Sequence, residues 1–497
     1  MAQETMSDTE TQTRWKALDK DLKRISRVEQ ANAYVARPMV APGIALAFIV
    51  VAGVVASVFF GGVNGNLVVI AAAAFGAYMA INIGANDVAN NMGPAVGANA
   101  LTMGGAIAIA AIAESAGALL AGGDVVSTIS KGIIDPTSVQ DSQVFIWAMM
   151  AALISSALWV NLATWVGAPV STTHSVVGGV MGAGIAAAGM SAVSWGTMGT
   201  IAASWVISPV LGGVIAAAFL ALIKAKIQYQ DDKIAAARRW VPILVAVMAG
   251  TFATYLAIKG LKRIVKIDLE MALLIGLVTS VASWAVTVPL VRRKSEGMEN
   301  RTKSVKTLFG LPLVISAGLL SFAHGANDVA NAVGPLAAIV HATEFGGFAD
   351  KVSIPSWVMV IGAFGISFGL FLFGPKLIRM VGSQITKLNP MRAYCVALSA
   401  AITVIVASWL GLPVSSTHIA VGGVFGVGFF REWHSERRRR NSNNKRPPEM
   451  RMAREERQRR KLVRRSHFLT IVAAWVITVP AAAVMSALIF LLLNAFV

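Results

Sequence analysis

Thirteen stretches of this 497-residue chain run for about 20 residues with few or no charges, the length at which a helix crosses the hydrocarbon core of a bilayer. They cover roughly 41–63, 67–97, 102–121, 143–166, 169–189, 196–224, 240–258, 269–291, 308–341, 355–381, 393–412, 413–430 and 467–495. Runs of this kind predict helices, because no water is present at that depth to satisfy an open backbone. Composition agrees. Hydrophobic residues make up 56% and charged residues 14%, against about 25% charged in a soluble globular chain. Mean hydropathy is +0.66. Such a chain cannot cover its apolar surface in water, which excludes an ordinary cytosolic enzyme. The single cysteine, Cys395, excludes an intramolecular disulfide and any Cys-rich metal centre.

Four of the runs are irregular. Segments 67–97 and 308–341 are too long for one plain span and carry Gly, Asn, Asp and Pro in their middles; 169–189 and 413–430 begin with Pro and are short for a crossing. These four are candidates for broken or re-entrant helices. Residues 1–40 are polar, with Trp15 to Val35 suited to an amphipathic surface helix, and the first apolar run starts too late for a signal peptide. The N-terminus is therefore expected in the cytoplasm.

Charge tests that topology. With the N-terminus inside and every candidate crossing, the loops at 225–239, 292–307, 382–392 and 431–466 lie inside. These carry most of the loop Lys and Arg, including Arg437 to Arg440, as positive-inside bias requires. The predicted outer loops 122–142 and 342–354 carry only Lys131 and Lys351. One loop conflicts: 259–268 holds Lys259, Lys262, Arg263 and Lys266, yet parity places it outside. The net charge of +18 thus points to cytoplasmic loops and anionic lipid rather than nucleic acid.

Two stretches repeat. Gly84-Ala-Asn-Asp-Val-Ala-Asn90 returns as Gly325-Ala-Asn-Asp-Val-Ala-Asn331, and Pro169-Val-Ser-Thr-Thr-His174 returns as Pro413-Val-Ser-Ser-Thr-His418, at nearly equal offsets. The chain is internally duplicated. Seven crossings separate the starts of the two units, an odd number, so the halves point in opposite directions through the bilayer. Inverted repeats with interrupted helices are a transporter architecture, with substrate bound near the midplane where the halves meet. The fold class expected is an all-α polytopic membrane protein: an inverted-repeat secondary transporter with broken helices or hairpins and about 12–13 spans. Its parts are a cytoplasmic segment 1–40, a first span 41–66, transport repeat A over 67–224, and cytoplasmic loops with two linking spans over 225–307. Repeat B follows over 308–430, then a basic cytoplasmic loop 431–466 and the last span 467–497.

The repeated residues carry chemistry. Asp87 and Asp328 are acids at membrane depth, where a carboxylate costs several kcal/mol and marks an ion path. Their Gly and Asn neighbours suit an unwound stretch, whose carbonyls would serve Na⁺ and whose N–H groups would serve an anion. Asn86, Asn90, Asn327 and Asn331 add amides. The bland alternative is a helix kink held by buried Asn and Asp. Ser171, Thr172 and Thr173, and Ser415, Ser416 and Thr417, form compact hydroxyl clusters after a proline. Such clusters fit a tetrahedral oxyanion, while one hydroxyl in each copy also suits a helix N-cap. His174 and His418 are either structural or a relay. Glu114 is a mid-span acid with no counterpart in the second half; it is a proton site or a partner for Lys131. No Walker A, His-Glu-x-x-His or Gly-x-Ser-x-Gly sequence is present.

The paired Gly-Ala-Asn-Asp and Pro-Val-Ser-(Ser/Thr)-Thr-His motifs resemble those of the inorganic phosphate transporter (PiT) family, over 67–224 and 308–495. The resemblance implies a symporter of inverted-repeat fold that imports inorganic phosphate with H⁺ or Na⁺. It is expected as a homodimer, multi-pass in the plasma membrane, without a cofactor. Asp87 and Asp328 would serve the coupling cation, as Na⁺ ligands if Na⁺ is the ion; Glu114 joins them as a coupling-cation candidate by its mid-span position rather than by the resemblance. Asn86, Asn90, Asn327, Asn331 and the hydroxyls of Ser171 to Thr173 and Ser415 to Thr417 would line the phosphate site. Sulfate, another oxyanion or a metal–phosphate complex is the alternative cargo. An intramembrane aspartyl enzyme built on Asp87 and Asp328 is the alternative of another class. Asn91 stands where the second copy has Ala332, so the halves need not contribute equally.

Overall fold

The computed structural model describes residues 39–60, 66–135, 138–139, 141–166, 170–260, 267–345, 354–384, 388–444 and 465–495. Among them the secondary structure is helical apart from an isolated bridge between Ile134 and Val193. The main helices are α1 (Met39–Phe60), α2 (Asn66–Gly97), α3 (Met103–Ala121), α4 (Ser142–Val166), α5 (Thr172–Ala188), α6 (Trp195–Ile223) and α7 (Lys233–Lys259). They continue as α8 (Leu269–Ser295), α9 (Gly310–Asp328), α10 (Ala330–Phe345), α11 (Ser356–Gln384), α12 (Pro390–Trp409), α13 (Ser416–Asn444) and α14 (Arg465–Asn494).

The duplication governs the packing. Repeat A is α2–α6 and repeat B is α9–α14. Helix α2 packs on α11, and its counterpart pair α9 and α3 pack likewise; α5 packs on α14 as α13 packs on α6; α4 meets α14 as α12 meets α6. Each of these contacts between halves has a mirror contact with the halves exchanged, which is what a two-fold relation between repeats produces. Without a hydrophobic drive between helices in lipid, such crossings depend on small residues that let backbones approach. A Cβ at Gly84 would overlap the Ile366 carbonyl, and one at Gly325 would overlap the Glu114 carbonyl. These two motif glycines exist for close helix crossing.

That corrects one expectation. The Gly and Asn of the first motif do not unwind the chain: α2 is helical through Gly84 to Asn90. In the second motif only Val329 interrupts the helix, between α9 and α10. The glycines are consumed by packing, so their helical backbone carbonyls stay engaged along the helix.

Eleven helical segments among the described residues are long and apolar enough to cross a membrane, fewer than the thirteen candidates. Segments 169–189 and 413–430 are not among them, and the geometry gives the reason. Helix α4 ends beside the middle of α2, where Asn161 Nδ2 donates to Asn82 Oδ1 at 3.1 Å and Asn86 Nδ2 donates to Thr164 Oγ1 at 2.8 Å. The chain turns there and α5 runs back. Just past α5, Ser194 N–H bonds the Ile133 carbonyl at 2.9 Å and Asp135 N–H bonds the Ala192 carbonyl at 2.8 Å, close to where α4 began. Helices α4 and α5 therefore form a hairpin whose ends share one face and whose tip lies mid-molecule.

Helices α12 and α13 repeat this. Their turn lies at Asn327, whose Nδ2 donates to Ser408 Oγ at 3.0 Å and to the Leu412 carbonyl at 3.1 Å. Their far ends meet α6: Phe219 and Tyr394 rings are 6.5 Å apart, and Lys224 Nζ lies 5.2 Å from the Phe430 ring. Only the first hairpin lies between the repeat starts, and it turns two counted crossings into a return, so the count falls from seven to five and stays odd.

The anomalous basic loop also finds its place. Lys259, at the end of α7, forms an ion pair with Asp124, so this end of α7 shares the face of 122–135, as parity demands. One lysine of that loop is thereby neutralised. The rest of the loop, 261–266, lies outside the described residues, as do Trp15 to Val35. The basic segment 431–466 is not loop throughout: α13 continues to Asn444, because 431–444 contains neither Gly nor Pro and Pro447-Pro448 come later.

Candidate functional site

The two-fold relation brings both repeated motifs to one buried cluster. Asp87 sits on α2 and Asp328 ends α9; both are 1% exposed. One oxygen from each, with a ring nitrogen of His324, lie within 4.8 Å of one another. The hairpin tips close the cluster from both sides. Thr172 donates its hydroxyl to Asp87 Oδ2 at 3.0 Å, and its counterpart Ser416 lies 3.5 Å from Asp328 Oδ2. Asn90 Nδ2 donates to Thr417 Oγ1 at 2.8 Å, and its counterpart Asn331 Nδ2 donates to Thr173 Oγ1 at 3.1 Å. These are two pairs of equivalent contacts, so the pseudo-two-fold passes through the site.

The symmetry is then broken. Thr417 passes its own hydrogen to Asp87 Oδ1 at 2.9 Å, while Thr173 gives its hydrogen to the Val414 carbonyl at 3.0 Å. Thr172 also lies 3.5 Å from Asp328 Oδ2 and receives a long 3.4 Å contact from Asn331. Asp87 thus accepts from both hairpins and is the hub.

Ser171 and Ser415 act as helix caps, accepting from His174 N–H at 3.1 Å and His418 N–H at 3.3 Å. This is the alternative role foreseen for one hydroxyl per copy. The caps fix the N-termini of α5 and α13 at the cluster, where both helix dipoles and free N–H groups favour negative charge. Asn86 and Asn327 are turned to the hairpins. Asn86 holds Thr164; Asn327 holds Ser408 and Leu412 and accepts from Val414 N–H at 3.2 Å. His174 and His418 stack edge to face with ring centroids 4.5 Å apart, and His174 lies 3.9 Å from Trp205. Both are buried between the two hairpin tips.

Glu114, fully buried on α3, reaches the same cluster. It accepts from Asn91 Nδ2 at 3.0 Å and lies 3.3 Å from His324 Nδ1. His324 Nε2 is 3.1 Å from Asp328 Oδ2 and 3.7 Å from Asp87 Oδ2. The imidazole therefore bridges Glu114 to both repeated acids. Sequence reasoning missed His324. The available signal was its position one helical turn before Asp328, where the first copy has the apolar Ile83. Asn91, noted as unmatched by Ala332, proves to be the partner of the unmatched Glu114.

Chemically, the cluster can hold a hard cation and present donors to an anion. Asp328 Oδ1, Glu114 Oε2, Asn91 Oδ1 and Asn331 Oδ1 are buried without a hydrogen-bond partner among the described residues. An unsatisfied buried acceptor costs about 1–3 kcal/mol, and oxygens alone are the donor set that hard cations take. The hydroxyls and the two helix N-termini supply the anion-facing groups.

Comparison with known proteins shows the family. A family model described as the phosphate transporter family matches residues 83–486. A candidate phosphate permease of Helicobacter pylori is 52% identical over 415 residues, covering 83% of this chain and 78% of its own. A candidate phosphate permease of Pyrococcus furiosus is 41% identical over 354 residues, covering 71% of this chain and 85% of its own. A solved structure titled "The sodium-dependent phosphate transporter" superposes with a TM-score of 0.77 at 35% identity, covering 87% of this chain and all of that one. With a duplicated helical membrane fold, a shared acid cluster and a family match spanning both repeats, this multi-pass membrane chain belongs to the phosphate transporter family.

Proposed function

We propose that the chain is a secondary active symporter that imports inorganic phosphate with a cation, Na⁺ being the favoured one. The observation that carries this is the placement of Asp87 and Asp328 beneath two capped hairpin tips whose hydroxyls are bound to the carboxylates. Two buried carboxylates repel an incoming oxyanion. A cation seated against Asp87 and Asp328 offsets that charge and competes for the oxygens now held by Thr172 and Thr417. The freed hydroxyls, with those of Ser416 and Thr173, then turn to phosphate, assisted by the N-termini of α5 and α13. Cation and phosphate thus favour each other's binding, which is the linkage symport requires.

Asn90 and Asn331 orient the hydroxyls, and Asn86 and Asn327 hold the hairpins in register. The His324–Glu114 bridge to Asp328 supplies a polar counter-network for the cation. His174 and His418 keep the two tips in contact. The face carrying 225–239, 292–307 and 431–444 is cytoplasmic by its basic residues, the N-terminus lies there too, and the membrane is the plasma membrane. The resemblance supports a homodimer.

Reconstituted protein tested for labelled phosphate uptake under an imposed Na⁺ gradient and, separately, a pH gradient decides the coupling ion. Accumulation driven by Na⁺ alone supports the reading. Uptake that merely equilibrates under both gradients rejects symport, and complete competition by sulfate at equal concentration rejects phosphate as the preferred anion.

A further inference from the structure

Helices α6, α13 and α14 frame a cleft of about 1020 Å³. Its walls are apolar, built from residues such as Val210, Val214, Phe425, Phe429 and Val479. Val210 and Val214 are 63% and 61% exposed, so the cleft opens sideways to its surroundings. Along α6 it runs from Ala202 to Ala217, about 22 Å at 1.5 Å per residue, somewhat more than the depth of one leaflet of a ~30 Å core.

The two ends differ. The inner end is Trp205 and His174, beneath the hairpin tip, where Trp205 Nε1 donates to the Pro413 carbonyl at 3.0 Å. The outer end is aromatic and basic. Lys224 Nζ lies 5.2 Å from the Phe430 ring, and the Arg437 guanidinium lies 5.5 Å from the Trp433 ring; both rings line the cleft. Arg431 stands between them in sequence, and Arg438 to Arg440 follow. The acids on this stretch, Glu432 and Glu436, are outnumbered. Tyr229 and His434 close the rim with a 2.7 Å hydrogen bond.

We propose that this cleft is a binding site for an anionic phospholipid, with an acyl chain between α6, α13 and α14 and the headgroup phosphate against Lys224 and Arg437. An apolar slot of one leaflet's depth matches a tail, interfacial aromatics mark the headgroup level, and the basic rim matches an anionic headgroup rather than a zwitterionic one. The tail would end against Trp205 and His174, so lipid occupancy bears on the hairpin that carries Thr172. The inference does not depend on which anion the acid cluster carries.

Native mass spectrometry of the full-length protein in detergent tests it, titrating phosphatidylglycerol against phosphatidylcholine with identical chains. One phosphatidylglycerol is retained about thirtyfold more tightly, the effect of two basic contacts. Lys224→Glu with Arg437→Glu abolishes the preference, whereas Lys224→Arg with Arg437→Lys keeps it. Val210→Trp, which fills the slot, weakens both lipids. Equal retention of the two lipids by the unaltered protein overturns the proposal. So does retention indifferent to Val210→Trp, or a second copy of the chain on this face in place of lipid. Elution as a single species and an unchanged Tm establish that each variant is folded.

Discussion

Thr417, at the tip of the second repeat's hairpin, donates its hydroxyl to Asp87 of the first repeat at 2.9 Å, while its own oxygen accepts from Asn90 at 2.8 Å. This relay crosses between the halves twice within two hydrogen bonds. It ties the state of an acid in one repeat to the orientation of a donor in the other.

Removing that donor is therefore expected to weaken substrate binding without unfolding the protein. Thr417→Ala raises the half-saturating phosphate concentration about tenfold, the usual effect of one hydrogen bond to a charged group. Thr417→Ser stays close to normal. Thr173→Ala, whose hydroxyl is engaged with the Val414 carbonyl, has a smaller effect. Initial uptake rates over a phosphate series measure all three. Equal losses at Thr417 and Thr173 would show that the asymmetry has no consequence.

The unmatched trio of Asn91, Glu114 and His324 leads to a different expectation. Glu114→Gln and His324→Gln each raise the half-saturating cation concentration several-fold, and the double variant is no worse than the poorer single one. Groups in one buried network are non-additive by about 0.5–3 kcal/mol. Uptake measured against cation concentration at saturating phosphate gives the cycle. Strict additivity would mean that the bridge between Glu114 and Asp328 is incidental.

Much of this fold was legible in the chain. Apolar runs announced the helices because a bilayer allows little else, and the duplication was written in identical residues. The parity argument held although two of its premises did not: the Pro-started segments turn back, and they do so in both halves. What was not legible was the use of small residues. Gly84 and Gly325 read equally well as hinge or as crossing point, and only the opposing backbones at Ile366 and Glu114 decide. Asn86 and Asn327 read as ligands because amides bind anions, yet the same groups here tether hairpins. His324 escaped notice because it lies outside the repeated identity.

Those glycines supply a stability test. Gly325→Ala forces a methyl into the Glu114 carbonyl and is expected to cost more than the ~1–3 kcal/mol of ordinary overpacking, with loss of monodisperse protein or a markedly lower Tm. Gly104→Ala, which meets nothing within 4 Å, leaves Tm unchanged or slightly raised. A tolerated Gly325→Ala would place the α3–α9 crossing elsewhere.

Sidedness follows from the hairpins and the Lys259–Asp124 pair. In a background lacking Cys395, Asp135→Cys is labelled by a membrane-impermeant maleimide in intact cells, and Glu296→Cys only after the cells are opened. Both positions are exposed. Labelling of the two from the same side would undo the inverted arrangement.

The central claim is that Asp87 and Asp328, one from each repeat, form a single site coupling cation to phosphate. It is tested most directly by labelled phosphate accumulation in liposomes holding equal amounts of oriented protein under an inward Na⁺ gradient. Asp87→Asn and Asp328→Asn are each predicted to abolish accumulation above equilibrium while the unaltered protein concentrates phosphate. Undiminished gradient-driven accumulation by the double variant would contradict the account.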